Sequence, residues 1–290
     1  MKGWCSIKHD GKDEHDGPPF DLGAFDLDGT LLDHNQVISE RTLVALRRLR
    51  ERGMRLIVTT GRRYESAREH AANLGFSSED PIVCYGGSMV RRLNGETLLH
   101  RTMPPEAAAD ALAWAEDRDL NVRIFMDDAI VVSSKAQGVF EHVRTPGEPE
   151  ILMVDSPAAW LRDGGAADES PTKVVIVDHP DGIDRWLDEA RAAFAGRLFV
   201  TRSLPHYVEV STLEGTKSTA LSFMCEQWGI EPARVLAFGD ADNDIDMLRF
   251  VGHGVAVGGM NDEVRAAADA VTSPVDEDGV AVYIEKLLGG

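Results

Sequence analysis

Residues 20–30 read FDLGAFDLDGT, an apolar run at Leu22–Phe25 followed at once by the acidic residues Asp26 and Asp28. A short apolar run bounded by polar residues is typical of a buried strand. Side chains alternate across an extended strand, so Asp26 and Asp28 point to the same side, and Gly29 lets the backbone turn directly after them. Open α/β sheets bind ligands at the carboxyl ends of their strands, and the segment therefore predicts two carboxylates in one pocket.

Apolar strands and amphipathic helices alternate along the first third of the chain and again along the last. Helices are predicted where apolar residues recur at helical spacing, with Ser39 as the cap of the first helix and Gly53 directly after it. The predicted strands are Leu22–Phe25, Arg55–Thr59, Ile82–Cys84, Val235–Phe238 and Val255–Val257. This βαβαβ rhythm predicts an α/β fold with a doubly wound parallel sheet, Rossmann-like in its organisation.

The middle of the chain has a different pattern. Pro104 and Pro105 open an alanine-rich helix, and two apolar runs then flank the polar pair Asp127–Asp128, which predicts a hairpin turn. A chain of 290 residues is long enough for two domains. We expect a disordered N-terminal tail, a catalytic core that is split in sequence, and an inserted α+β cap domain, at residues 1–19, 20–102 with 201–290, and 103–200 respectively.

The composition limits the partners of the chain. Its formal net charge is −19 and its isoelectric point is near 4.8, so nucleic acids and anionic membrane surfaces are repelled over most of the exterior. No apolar run approaches the roughly 18 residues of a membrane span, and Met1–Phe20 contains no hydrophobic signal-peptide stretch. We expect a cytoplasmic protein without a nucleic-acid or membrane partner, and the sequence leaves its oligomeric state open.

The two carboxylates of the first segment suit a reaction in two steps. An ionised carboxylate needs no general base to activate it, which makes Asp26 the candidate nucleophile. Asp28, on the same side, can move the proton that the reaction requires. Both residues lie where a buried strand gives way to a loop, and the pair therefore predicts covalent catalysis at this strand end.

The segment Thr60-Gly61-Arg62 has the features of a phosphate site. It lies between a predicted strand and a predicted helix, where a hydroxyl, flexible backbone and helix N-terminal amides can bind phosphate and Arg62 can add a clamp. Lys217 opens a later predicted helix and can neutralise phosphate or transition-state charge. Each of these residues alone is more often structural, but their order behind Asp26 favours phosphoryl transfer.

A second acidic segment follows another predicted strand. Residues 239–244 read GDADND directly after the strand Val235–Phe238, which places Asp240 at a strand end. An anion that attacks an anionic phosphoryl group requires charge neutralisation, and Mg2+ is a hard cation that accepts carboxylate and phosphate oxygens. Asp240 is therefore a candidate Mg2+ ligand beside Asp26, and Asp244 can orient a metal-bound water.

Together, the segments around Asp26, Thr60, Lys217 and Asp240 resemble the haloacid dehalogenase superfamily, in this order and over nearly all of the chain. The insert between Thr60 and Lys217 resembles the large C2-type cap of the Cof-type sugar-phosphatase branch, subfamily IIB. The resemblance implies that Asp26 is the nucleophile and a metal ligand, and that Asp28 is the general acid and base and binds metal through its backbone carbonyl. It implies further contacts to metal through Asp240 and to phosphate through Thr60, Lys217 and Asn243.

These roles imply a Mg2+-dependent phosphatase that hydrolyses a small phosphorylated metabolite through an aspartyl-phosphate on Asp26. Sugar phosphates are the first expected substrates, followed by phosphorylated cofactor precursors. A phosphomutase would use the same carboxylates but return the phosphate to a sugar by excluding water. A non-catalytic sugar-phosphate sensor is a weaker alternative, because no catalytic position has been lost. Hydrolysis is the commoner outcome in this branch, and the sequence therefore favours the phosphatase.

Overall fold

The computed structural model describes residues 19–127, 129–134, 150–166 and 169–289. Residues 1–18 of the expected N-terminal tail and Asp128 of the expected turn lie outside the described residues. The described chain forms two β-sheets, each with helices packed against it.

The strands are numbered in chain order. They are β1 (Leu22–Phe25), β2 (Arg55–Thr59), β3 (Pro81–Cys84), β4 (Met89–Arg92), β5 (Thr97–His100), β6 (Asn121–Phe125), β7 (Ala129–Ser133), β8 (Glu150–Val154), β9 (Lys173–Val177), β10 (Phe199–Arg202), β11 (Tyr207–Ser211), β12 (Val235–Gly239), β13 (His253–Ala256) and β14 (Ala270–Val271). The helices are α1 (Glu40–Glu51), α2 (Tyr64–Asn73), α3 (Pro105–Glu116), α4 (Pro157–Arg162), α5 (Pro180–Ala193), α6 (Lys217–Trp228), α7 (Ile245–Phe250), α8 (Asp262–Ala267) and α9 (Gly279–Leu287).

The first sheet has eight strands in the order β14-β13-β12-β1-β2-β3-β4-β5. The strands from β14 to β3 run parallel, as the alternation of strands and helices predicts. Strands β4 and β5 extend the sheet with antiparallel pairing, which the sequence analysis did not anticipate. The acidic segments therefore follow two adjacent strands, β1 and β12, at the same edge of the sheet.

Helices cover both faces of the first sheet. Helices α1, α2 and α9 pack on one face, and α6, α7 and α8 pack on the other, so the parallel core is doubly wound. Local signals fix the helix that carries Lys217: Thr216 and Thr219 form a reciprocal capping pair before the first turn of α6. The same helix ends at Gly229, whose φ of 63° is the left-handed conformation that glycine favours.

The second sheet has six strands in the order β10-β11-β9-β6-β7-β8. Its neighbours pair antiparallel except β7 and β8, which run parallel. Side chains alternate between its two faces. Val122 and Ile124 of β6 pack with α3, α4 and α5, whereas Phe125 and Val175, on the opposite face, join an apolar cluster with the first sheet. The second sheet thus lies over the first with one face turned to it.

The second sheet extends beyond the segment expected for the insert. Strand β10 crosses the expected boundary at Val200, and β11 pairs with β9 up to Tyr207–Ser211. The boundary could not be located locally, because β11 follows β10 as a hairpin and belongs to this sheet only through long-range pairing with β9. We propose that the two sheets correspond to a core and an inserted cap, and that the cap ends near Ser211.

None of the helices among the described residues has the length and apolar character needed to cross a membrane.

Candidate active site

The candidate residues meet at the carboxyl edge of the first sheet. Strands β12, β1 and β2 are neighbours, and they are followed directly by Asp240, Asp26 and Thr60. Pairing continues past the end of β1, where the Asp26 N–H donates to the Phe238 carbonyl oxygen at 3.0 Å. This contact fixes the backbone of the predicted nucleophile beside the acidic loop that contains Asp240.

Lys217 lies fully buried at the centre of the site. Its Nζ donates to Asp26 Oδ1 at 2.5 Å and to Asp244 Oδ1 at 2.6 Å. Burial alone would lower the pKa of Lys217, but the charges of Asp244 and Asp26 outweigh it and raise that pKa above its ordinary value. Lys217 is therefore a stable cation that holds two carboxylates together.

The carboxylates around Lys217 carry more negative charge than the lysine balances. Burial raises the pKa of Asp26 well above its ordinary value; Lys217 opposes this shift, while Asp244 and Asp240 add to it. Burial and the charge of Asp244 raise the pKa of Asp240 to about 7, although Thr30 donates a hydrogen bond to Asp240 Oδ1 at 2.7 Å. Lys217 alone therefore does not neutralise the negative charge of these carboxylates.

The acidic cluster fits a divalent cation. One carboxylate oxygen from each of Asp26, Asp240 and Asp244 lies within 4.8 Å of the others, and oxygen is the donor that Mg2+ prefers. Asp244 already accepts from Lys217 through Oδ1 and from the N–H groups of Asp240 and Ala241, both at 3.1 Å, through Oδ2. Asp26 and Asp240 are therefore the better direct ligands, and Asp244 orients the loop that carries Asp240.

Gly29 is required beside this cluster. Its φ is +83°, and a Cβ at this position would lie 2.3 Å from Asp240 Oδ2. A side chain would both strain the backbone and displace the carboxylate. The glycine after the acidic pair therefore makes room for Asp240, in addition to allowing the turn.

Asp28 forms an ion pair with Arg62. Arg62 Nε donates to Asp28 Oδ2 at 2.7 Å and Nη2 donates to Oδ1 at 2.5 Å, and Arg62 also contacts Gln36 and Ser66. Burial would raise the pKa of Asp28, but the hydrogen bonds and charge of Arg62 outweigh it and lower that pKa. The expected phosphate clamp is thus a partner of the second carboxylate in this structure.

Three of the predicted phosphate residues, Gly61, Arg62 and Asn243, line the space next to Asp26. Thr60 is buried, and its Oγ1 accepts the N–H of Arg62 at 3.1 Å. Gly61 and Asn243 lie together, because a Cβ on Gly61 would be 3.5 Å from Asn243 Nδ2. Within the described residues Asn243 Oδ1 is buried without a hydrogen-bond partner, so this amide is open to a further interaction.

A cavity of about 430 Å³ lies between these residues and the second sheet. The first sheet contributes polar groups, among them Asp26, Asp28 and Arg62. The second sheet contributes a mixed face that the sequence analysis did not assign to the site: Arg123, Phe125, Ile130, Val132, Ile151, Lys173, Val175, Tyr207 and Glu209. A usable signal existed, because a charged residue that opens or interrupts an otherwise apolar strand is unusual in a buried element.

The site consists of carboxylates around a buried lysine at the carboxyl edge of a parallel sheet, and a second sheet lies over the adjoining cavity. This arrangement is typical of an α/β enzyme with a covered active site. Comparison with protein families gives the particular family. Residues 24–284 match the haloacid dehalogenase-like hydrolases, and the chain belongs to this family.

Relatives of known name are phosphatases. The chain is 27% identical over 285 residues to the phosphatase YwpJ of Bacillus subtilis (strain 168), with 92% of this chain and 99% of that protein covered. It is 26% identical over 271 residues to the 5-amino-6-(5-phospho-D-ribitylamino)uracil phosphatase YitU of the same organism, with 91% and 96% covered. Among solved structures, a haloacid dehalogenase-like hydrolase from B. subtilis has a TM-score of 0.78 at 24% identity over 91% of this chain and 99% of that one, which shows a shared fold.

The comparisons confirm three expectations from the sequence. These are the haloacid dehalogenase-like family, the α/β fold with a parallel core, and an enzyme that is a phosphoric monoester hydrolase. The metal, the covalent intermediate, the substrate and the roles of individual residues stay predictions, which the geometry of the site now allows us to develop.

Proposed function

We propose that the protein is a Mg2+-dependent phosphatase of small phosphate monoesters that works through an aspartyl-phosphate on Asp26. The observation that carries the proposal is the contact between Lys217 and Asp26 at the floor of the cavity, 2.5 Å from Nζ to Oδ1. This contact fixes one carboxylate oxygen. Within the described residues the other oxygen, Oδ2, makes no hydrogen bond, so it is the atom proposed to attack phosphorus.

Asp26 and Asp240 are the residues proposed to hold Mg2+, together with the backbone carbonyl of Asp28. The support is the cluster of buried carboxylates, in which burial and then the charge of Asp244 raise the pKa of Asp240 to about 7. A bound Mg2+ would supply charge neutralisation between the nucleophile and the phosphate. Asp244 would keep the Asp240 loop and Lys217 in place through its two carboxylate oxygens.

Asp28 is the proposed proton carrier. Its lowered pKa makes the carboxylate the prevailing form while Arg62 is bound. That form suits the second step, in which Asp28 removes a proton from the water that hydrolyses the acyl phosphate. In the first step Asp28 must donate a proton to the leaving alcohol, and this requires its contact with Arg62 to loosen as the substrate binds.

The cavity supports a substrate with a polar part and an apolar part. Polar groups on its core side, among them Asp28 and Arg62, can hydrogen-bond the hydroxyls of a sugar or polyol phosphate. Its second-sheet side also carries charged residues, but Phe125, Val132 and Val175 form an apolar wall there, against which a desolvated hydroxyl would lose about 1–3 kcal/mol. The relative YitU is named for a substrate that joins a phosphorylated ribityl chain to a uracil ring. We propose a sugar or polyol phosphate, and an attached ring would suit the apolar side.

A matched pair of esters tests the substrate. Ribitol 5-phosphate and riboflavin 5′-phosphate share the phosphorylated chain and differ in the ring. If the apolar wall contacts a ring, kcat/KM for the riboflavin ester exceeds that for the ribitol ester by about tenfold or more. Equal values would remove the ring from the proposal and leave the polyol phosphate.

Phosphate release tests the function itself. We expect release from sugar, polyol and cofactor phosphates that requires both Mg2+ and Asp26. Asp26→Asn should reduce turnover to background, whereas Asp188→Asn, at an exposed position of α5, is the matched control and should retain it. Turnover by Asp26→Asn at the wild-type rate would exclude this nucleophile, and conversion of a sugar phosphate to an isomer without phosphate release would indicate the mutase. The cytoplasmic location stays a prediction.

A further inference from the structure

The second sheet places a buried ion pair against the predicted phosphate loop. Lys173 opens β9 and Glu209 lies in the middle of β11, on the same face of the sheet. Lys173 Nζ donates to Glu209 Oε2 at 2.9 Å, and the two side chains are only 4% and 9% exposed. Ser203 Oγ donates to the other carboxylate oxygen, Oε1, at 2.5 Å. The pair is therefore held rigidly on its own sheet.

The ammonium of this pair reaches across to the first sheet. Lys173 Nζ donates to the Gly61 carbonyl oxygen at 2.8 Å, and it lies 5.3 Å from the ring centre of Phe125 and 5.9 Å from that of Tyr85. Removing two charges from water is costly, and apolar residues of similar size often stabilise a fold at least as well. Stability alone therefore does not account for a buried cation aimed at this carbonyl.

The peptide unit that Lys173 contacts controls the hydroxyl of Thr60. A trans peptide is planar, so the carbonyl of Gly61 and the N–H of Arg62 point in opposite directions. With the carbonyl held by Lys173, the Arg62 N–H donates to Thr60 Oγ1 at 3.1 Å. A hydroxyl has one proton to donate. Because its oxygen accepts from Arg62, Thr60 keeps that proton for an anion bound beside Gly61 and Arg62, which line the cavity.

We propose that Lys173, held by Glu209, is a positioning residue that orients the Gly61–Arg62 peptide and so makes Thr60 a donor to phosphate. Lys173 belongs to the second sheet, and Gly61 lies in the loop that follows β2 of the first sheet. The orientation of this loop for phosphate binding therefore depends on a contact between the two sheets. The proposal rests on the proposed function, since it assigns the phosphate subsite of that same cavity.

Binding of inorganic phosphate in the presence of Mg2+, followed by calorimetry on the full chain, tests the proposal without requiring turnover. Lys173→Met should raise the dissociation constant for phosphate by at least about tenfold, because it removes a charged hydrogen-bond donor. Lys173→Arg, which can still donate to the carbonyl and pair with Glu209, should recover most of the affinity. Arg91→Met is the matched control: it removes another ion pair between the sheets, with Asp127, and should change the constant by at most about fivefold.

A double-mutant cycle separates positioning from direct contact. In a Thr60→Val background, Lys173→Met should have almost no further effect on phosphate binding, because the two residues act through the same peptide. Full additivity would show that Lys173 acts independently of Thr60 and would overturn the proposal, as would equal effects of Lys173→Met and Arg91→Met.

Three further outcomes keep the test decisive. If Lys173→Met does not fold, Glu209→Gln preserves shape while weakening the anchor of Lys173, and unchanged phosphate affinity in that variant would overturn the proposal. Phosphate binding without hydrolysis of any ester would contradict the proposed function and leave the role of Lys173 standing. A wild-type chain that binds no phosphate would overturn the role of Lys173 directly.

Discussion

Replacement of Lys217 by methionine is the sharpest probe of the charge balance in the site. The variant keeps a long side chain but removes the cation that donates to Asp26 and Asp244. All three side chains are almost fully buried, with exposed fractions of 0%, 7% and 0% for Lys217, Asp26 and Asp244. Removal of one partner from a buried ion pair costs about 3–5 kcal/mol, because the remaining charge is left uncompensated. We expect a loss of this size in the free energy of unfolding.

The loss should depend on pH with a definite sign. Burial already raises the pKa of Asp26, and Lys217 opposes that shift, so the pKa rises further without the lysine. A group whose pKa is higher in the folded than in the unfolded state stabilises the fold below its unfolded pKa, and this stabilisation is lost as the pH rises through the folded pKa. The free energy of unfolding of Lys217→Met should therefore fall further below that of the wild type at about pH 8 than at about pH 5.

Urea unfolding in EDTA, followed by circular dichroism, measures this difference. Lys286→Met, at an exposed position of α9, serves as the control and should change the free energy of unfolding by no more than about 0.5 kcal/mol. A deficit for Lys217→Met below about 1 kcal/mol, or one of equal size at both pH values, would refute the view that Lys217 compensates buried carboxylates.

Three further predictions concern Gly29, Arg62 and Asp240. Gly29→Ala should weaken Mg2+ binding by about tenfold or more in a calorimetric titration, because the added Cβ would displace Asp240. Gly53→Ala is the control: Gly53 has a similar φ of +89° but open space around it, so this variant should bind Mg2+ like the wild type. Equal effects of the two variants would contradict the steric argument. Arg62→Met should raise the pKa of Asp28, so the basic limb of the pH profile of kcat/KM, which reports loss of the proton that the leaving alcohol needs, should move up by about one unit or more; an unmoved limb would exclude Asp28 as the acid of the first step. The pKa of Asp240 is raised from 3.8 to about 7, so the metal-free protein should lose stability as the pH rises between these two values. Urea unfolding should show that Mg2+ removes this loss. A metal-free protein whose stability does not fall over this pH range would contradict the raised pKa.

The edge of the sheet that carries the candidate site could be predicted because its signals are local. Asp26 and Asp240 each follow an apolar run, and parallel strands bring their carboxyl ends to one edge of a sheet. The sequence does not state which side chains meet across that edge. Arg62, whose expected phosphate contact stays a prediction, donates two hydrogen bonds to Asp28, and no local pattern specifies this contact.

The second sheet was harder to predict for the same physical reason. Its membership depends on pairing between distant strands, such as β11 with β9, and local patterns do not specify partners. Strands β4 and β5 were missed because neither has a long apolar run: two buried apolar residues are followed by two arginines in β4, and β5 has no buried residue. The contact from Lys173 to Gly61 joins two sheets, and only the tertiary fold brings these residues together.

The charges of the acidic cluster support the proposed binding of Mg2+ beside an anionic substrate. At the strand ends Lys217 contacts Asp26 and Asp244, and Arg62 contacts Asp28, whereas Asp240 contacts neither cation. The carboxylates of this cluster outnumber the cations that contact them, and their negative charge, in a chain of net charge −19, disfavours a phosphate and suits a divalent ion. Phosphate should therefore bind more tightly as Mg2+ is added, and Mg2+ should bind more tightly by the same factor when phosphate is present, because coupling between two ligands is reciprocal. Equal phosphate affinity in Mg2+ and in EDTA would show that the protein balances this charge without a metal.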